Sequence, residues 1–158
     1  MSRSLVFRLF FVGFFITALF SACSRDPNVR KQKYLESGNR YFSEGKYAEA
    51  AIQYSNAIQV DSRFAEAHYQ LGETYLKQGN SARAFQEFSR TTDLDPDNYR
   101  AHIDAANLLL VARNSDGSAN DDYLKQAKIH LDLLREKQPQ NPEVFQAWAD
   151  YYAAQNNL

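Results

Sequence analysis

The chain has 158 residues, of which 23% are charged and 44% hydrophobic, ordinary values for one globular domain. Eighteen basic and nineteen acidic residues leave a net charge of −1, without a Lys/Arg stripe, so no nucleic-acid partner is expected. The single cysteine, Cys23, excludes an internal disulfide and a thiolate-rich metal site.

Residues 1–8 carry Arg3 and Arg8 and no acid. Residues 9–20 are largely apolar, and Ser21 and Ala22 are small. A basic start, a short apolar run and small residues before a cleavage point make a secretory signal peptide. Twelve helical residues reach about 18 Å, well short of a hydrocarbon core of about 30 Å. Extending the run back to Leu5 would bury Arg8, at about 2.5–3.5 kcal/mol. The segment Phe20-Ser21-Ala22-Cys23 resembles the lipobox of bacterial lipoproteins, with Phe20 where that family prefers Leu. The resemblance implies cleavage after residue 22 and lipidation of Cys23. Several acyl chains hold a protein to a membrane far more firmly than one. Ser24 stands where an aspartate commonly retains such lipoproteins at the inner membrane. The implied location is the bacterial cell envelope, on the periplasmic side of the outer membrane.

Residues 23–30 read as a polar tether containing Pro27. From Lys31 onward the sequence repeats with a period of 34. Residues 31–64 laid over 65–98 coincide at Gly38/Gly72, Tyr41/Tyr75, Gly45/Gly79, Ala48/Ala82, Ala50/Ala84, Ser55/Ser89 and Asp61/Asp95, and Tyr54 over Phe88 keeps an aromatic ring. Such a period describes helix–turn–helix units that bury apolar faces on their neighbours. Gly38 and Gly72 fall where two antiparallel helices would cross closely, with Ala50 and Ala84 as small partners. Gly45 and Gly79 would end the first helix of each pair in the left-handed conformation.

The third unit, residues 99–141, is less regular. Its helices are expected over 102–111 and 126–136, separated by an inserted polar loop at 113–122. Asp121 or Asp122 is placed to cap the second of them. Residues 142–155 read as the first helix of a partial unit, 142–158. That helix either caps the third unit or opens a unit of a longer array.

Leu71-Gly72, Tyr75, Ala84, Phe88 and Pro96 match the tetratricopeptide pattern, and Tyr34, Gly38, Tyr41, Ala50, Tyr54 and Ala57 match it again. The chain therefore resembles the tetratricopeptide repeat family. The resemblance implies an all-α, right-handed superhelical solenoid of antiparallel helix pairs, with about three and a half repeats. In such arrays the first helix of each pair lines a concave surface that binds protein segments. The inner positions carried over are Leu35, Asn39 and Phe42, then Tyr69, Glu73 and Leu76, then Arg100, Ile103 and Asn107. Chaperone-binding members hold a C-terminal carboxylate in a clamp of Lys, Asn and Arg. Only Asn39 and Arg100 fit that clamp here, against Leu35, Gln70 and Asp104 elsewhere, so an acidic tail is not the expected ligand.

No catalytic spacing is present, and no cofactor or metal is expected. His68 and His102 are 34 residues apart, which makes them one repeat position seen twice, suited to packing, and His130 stands alone on a helix. The acidic loop at 114–122 contains Gly117, but Ala112 and Tyr123 occupy outer positions where a calcium loop needs oxygen ligands. The sequence thus predicts a membrane-tethered, non-enzymatic adaptor or scaffold that binds other proteins. The alternatives are a self-associating structural module and the non-catalytic N-terminal part of a longer protein.

Overall fold

The computed structural model describes residues 26–112 and 120–155. The signal segment, Cys23 and most of the inserted loop lie outside the described residues. Within them the chain forms helices only: α1 (Pro27–Ser43), α2 (Tyr47–Val60), α3 (Ala65–Lys77), α4 (Ser81–Leu94), α5 (Tyr99–Val111), α6 (Asp121–Lys137) and α7 (Pro142–Gln155). Three hairpins, α1/α2, α3/α4 and α5/α6, stack in sequence, and α7 packs on α6 and α5. Among the described residues no helix is long and apolar enough to cross a membrane.

Local sequence sets most boundaries. The first helix begins at Pro27, inside the stretch read as a tether, because Asp26 caps it by accepting from the Asn28 N–H at 2.8 Å and proline suits the first turn. At the other end of α1, Gly45 has φ 72°. Its N–H donates to Phe42 O at 3.0 Å and the Lys46 N–H to Tyr41 O at 2.9 Å. The same double bond recurs at Gly79, with φ 75°, from Gly79 to Leu76 O and from Asn80 to Tyr75 O. This is the Schellman ending, which needs a left-handed residue after the cap. Asp61 and Asp95 also play one role twice. Each carboxylate accepts the N–H two residues on, from Arg63 and from Asp97, and turns the chain into the next hairpin.

In the third unit α5 starts at Tyr99, three residues before the expected start. Asn98 caps it by accepting from the Ala101 N–H. Helix α6 begins at Asp121, five residues early, and its cap is Asn120, not Asp121 or Asp122. The Asn120 side chain accepts from the N–H groups of Asp122 and Tyr123. The two aspartates lie in the first turn, where negative charge suits the helix dipole.

The interior is a chain of close helix crossings. Tyr54 and Phe88 are fully buried. A Cβ added to Gly38 would meet the Tyr54 ring at 2.4 Å, and one added to Gly72 would meet the Phe88 ring at 2.6 Å. In the third hairpin the repeat position of these glycines is Ala106 and that of the rings is Leu131, both within one buried cluster. A smaller, flexible side chain there leaves room for a methyl group.

Among the described residues the buried side-chain polar atoms are all paired. Thr74 and Thr91 donate to the carbonyls of Gln70 and Glu87. His68 and His102, 8% and 6% exposed, donate through Nε2 to the carbonyls of Ser62 and Pro96, again 34 residues apart. Each histidine thus ties the start of one hairpin to the end of the preceding one. The other ring nitrogens differ: His68 Nδ1 meets Glu87 Oε2 at 2.7 Å, whereas His102 Nδ1 meets His130 Nδ1 at 2.8 Å. With His102 Nε2 donating to a carbonyl, the neutral pair needs one proton between the facing Nδ1 atoms. Burial lowers the pKa of both rings, that of His130 to about 4.

Two outcomes follow for stability. Alanine at Gly38 or Gly72 gains up to about 1 kcal/mol of helix propensity, but pressing Cβ into a fixed ring costs about 1–3 kcal/mol. Urea unfolding should show both variants less stable, whereas Ala106→Gly loses only the propensity. The His102–His130 pair should stabilise the fold above about pH 6.5 and lose that contribution as pH falls towards 4, because a lowered folded pKa opposes protonation. Thermal melts of wild type and His130→Gln should differ in acid sensitivity over that window, by up to about 3 kcal/mol.

Candidate functional site

The first helices of successive hairpins lie side by side, and their shared face holds a cleft of about 410 Å³. Helix α3 contributes Tyr69, α5 contributes Arg100, Ile103, Asp104 and Asn107, and α7 contributes Glu143, Gln146, Ala147 and Asp150. These positions share a face because each helix presents residues three and four apart on one side. Ile103, Ala147 and the Tyr69 ring give the cleft apolar surface. Three carboxylates against one guanidinium give it a negative balance.

Asp104 is the centre of this arrangement. Tyr69 Oη donates to its Oδ2 at 3.1 Å across the two helices, and the Tyr69 ring packs on Phe88 at 5.6 Å between centroids. Burial pushes the Asp104 carboxyl up to about 6, repulsion from Glu73 adds to this, and the bond from Tyr69 opposes it. Burial also raises the Glu73 carboxyl, while the cations Lys77 and Arg100 pull it down. The Tyr69 phenol is pushed strongly upward by burial and by the Asp104 charge, so it remains a donor.

Of the nine inner positions named from the sequence, Tyr69, Arg100, Ile103 and Asn107 line this cleft, and Glu73 acts on it electrostatically. The expectation of free inner side chains needs correction at two places: Leu35 and Ile103 are 8% and 6% exposed. Leu35 belongs to the core of the first hairpin, and Ile103 to that of the third while still touching the cleft. Asn39 is exposed but accepts from Tyr54 Oη at 2.8 Å. Phe42 packs edge-on against Tyr47, and Leu76 packs on the Ala84–Phe88 core. Arg100 is exposed, as the inner reading requires.

Glu143, Gln146 and Asp150 were not among the nine. They were legible: Arg100, Ile103 and Asn107 recur as Glu143, Gln146 and Asp150 once a nine-residue insertion is added to the 34-residue period. Among the described residues no group of three or more His, Cys, Asp or Glu side chains could hold a metal ion.

Comparison with known proteins supports the fold. A family described as TPR repeat matches residues 38–79, and the tetratricopeptide repeat family matches residues 65–98. No curated protein matches the chain. The second TPR domain of human RPAP3, solved with the HSP70 peptide SGPTIEEVD, is similar at TM-score 0.68 and 20% identity, over 80% of this chain and 98% of that one. The TPR domain of Arabidopsis OM64 gives 0.67 and 16%, over 81% and 98%. The Yersinia enterocolitica type III secretion chaperone SycD, solved with a peptide of the translocator YopD, gives 0.62 and 19%, over 78% and 91%. The chain carries tetratricopeptide repeats and folds as an all-α tetratricopeptide solenoid.

Proposed function

We propose that this protein is a non-enzymatic adaptor of the bacterial cell envelope, held at the periplasmic side of the outer membrane through a lipid on Cys23. Its cleft binds an extended segment of a partner protein that carries a cationic side chain. The observation that carries the binding reading is Asp104, a partly buried carboxylate kept in a groove where burial and Glu73 both oppose its charge. A carboxylate held against its own solvation in a cleft is a candidate binding group with a physical rationale.

The neighbours give this reading a contrast. The peptides named with two RPAP3 domains, SRMEEVD and SGPTIEEVD, are acidic. The cleft here has Asp104, Glu143 and Asp150 opposed only by Arg100. An acidic tail would meet like charge, whereas lysine or arginine would relieve the crowding around Asp104. The apolar walls suit the stem of such a side chain, whose head can reach the carboxylate. The lipid anchor rests on the resemblance of residues 20–23 to a lipobox. It can be checked separately by metabolic labelling with palmitate and loss of the label in Cys23→Ser.

The test compares extended nonapeptides of alternating Lys and Ala with others of alternating Glu and Ala, by calorimetry at low salt. The Lys series should bind and the Glu series should not. Asp104→Asn should weaken the Lys series about tenfold. Binding should also weaken as pH falls through about 6, where Asp104 takes up a proton. Preference for the Glu series, or equal binding by Asp104→Asn, would overturn the reading.

The same variant should be more stable than wild type. A carboxyl whose folded pKa is raised destabilises the fold increasingly as pH climbs from its ordinary range to about 6, fully above that, and not at all below its ordinary range. Asn at 104 can still accept from Tyr69. At pH 7.5 the variant should gain about 1–3 kcal/mol in urea unfolding, and the gain should vanish near pH 4.

A further inference from the structure

The helix α7 has a second face that the cleft does not use. Phe145 and Tyr152 are 61% and 52% exposed, and Ala149 and Ala153 beside them are exposed too. The internal repeat says what this face is. Phe145, Ala149 and Tyr152 follow Asn141 at the spacing with which His102, Ala106 and Leu109 follow Asn98, and His68, Gly72 and Tyr75 follow Phe64. In the first three hairpins that stripe is covered by the second helix of the pair, and the small residue at its centre is buried each time. On α7 the same stripe is uncovered among the described residues.

We propose that this stripe is a dimer interface, covered by the α7 of a second copy of the chain packed antiparallel about a two-fold axis at Ala149. Three observations select a second copy. The stripe continues an interface already formed three times in the molecule, which fixes the kind of element that fits it as a helix crossing closely over a small residue. It is self-complementary: an aromatic four residues before Ala149 and one three residues after place Phe145 opposite Tyr152 of the other copy, as an isologous contact requires. It is also uncharged. The carboxylates of α7, Glu143 and Asp150, lie on the opposite flank of the buried stripe, facing the cleft, and the α6 cations beside it, Lys128 and Arg135 over the Trp148 ring, are each paired with Asp132. Tyr152 is already held against the Trp148 and Tyr151 rings at 5.5 Å between centroids, which reduces the ordering lost on association. The antiparallel arrangement also sets each helix dipole against the opposite end of its partner.

The test uses the full chain in cells and in purified form. With Ala149→Cys, mild oxidation in cells should give a species of twice the chain mass. Gln146→Cys, on the cleft flank, should give none above the wild-type background. Sedimentation of the purified wild type should show a dimer, and the double variant Phe145→Lys, Tyr152→Lys should weaken it at least about tenfold. Both side chains are more than half exposed, so the variant should still fold, which far-UV circular dichroism and a cooperative melt would show, while its Tm should lose the concentration dependence that association gives the wild type. Any of three results would overturn the proposal: a wild type monomeric at every concentration, a folded double variant that still dimerises, or Ala149→Cys cross-linking only to a different protein.

Discussion

The rest of the structure depends on how closely the two helices of each hairpin cross. A fully buried ring, Tyr54 or Phe88, presses against a helix that has no Cβ at Gly38 or Gly72. A methyl group at 2.4–2.6 Å from a ring cannot be absorbed by a small shift when the ring has no free space. The third hairpin satisfies the same steric sum with different terms, placing Ala106 where glycine stood and Leu131 where the ring stood. The constraint is the combined volume at the crossing, not the identity of either residue. Once the crossings are set, the first helices of successive hairpins must lie alongside one another, and their shared face becomes the cleft.

Polar groups inside this packing are satisfied, and the manner of satisfaction separates structural groups from the site. Thr74 and Thr91 fold their hydroxyls back on their own helices. His68 and His102 bind equivalent carbonyls, which accounts for their recurrence after 34 residues without any metal. Asp104 differs from all of them. It receives a hydrogen bond from Tyr69, yet burial and Glu73 still oppose its charge. Histidine pairing stabilises the fold near neutral pH, whereas ionised Asp104 opposes it, so acid pulls stability in two directions that single variants can separate.

The fold was legible because the repeat is read from residues with strong steric requirements. The glycines at the crossings, the two left-handed caps and the buried rings each recur at the right interval. Boundaries were less legible where capping competes. Asn120 outranks Asp121 and Asp122 because its side chain reaches two N–H groups at once, and Asp26 with Pro27 starts α1 before the periodic pattern begins. Inner positions were only partly legible. The repeat register places Leu35 and Ile103 on the first helices, but it does not say how far a side chain sinks between neighbours. Asp104 was seen only as a departure from the carboxylate clamp. Its role depends on Tyr69 and Glu73 arriving from a different helix, which no local pattern records.

Helix α7 joins the two proposed surfaces and keeps them apart. One flank carries Glu143, Gln146 and Asp150 into the cleft. The other carries Phe145, Ala149 and Tyr152 outward, and Trp148 between them is anchored to α6 by its indole N–H donating to Leu131 O at 3.2 Å. A two-fold contact through the outer flank therefore leaves both clefts open. Two clefts in one assembly would hold a partner with two cationic segments far more tightly than one cleft could, since the second contact forms at high effective concentration. Monovalent peptides would bind dimer and monomer alike, whereas a bivalent partner would distinguish them. The sensitivity of partner capture to Phe145 and Tyr152, residues that touch no peptide, is thus the physical signature that links the two faces.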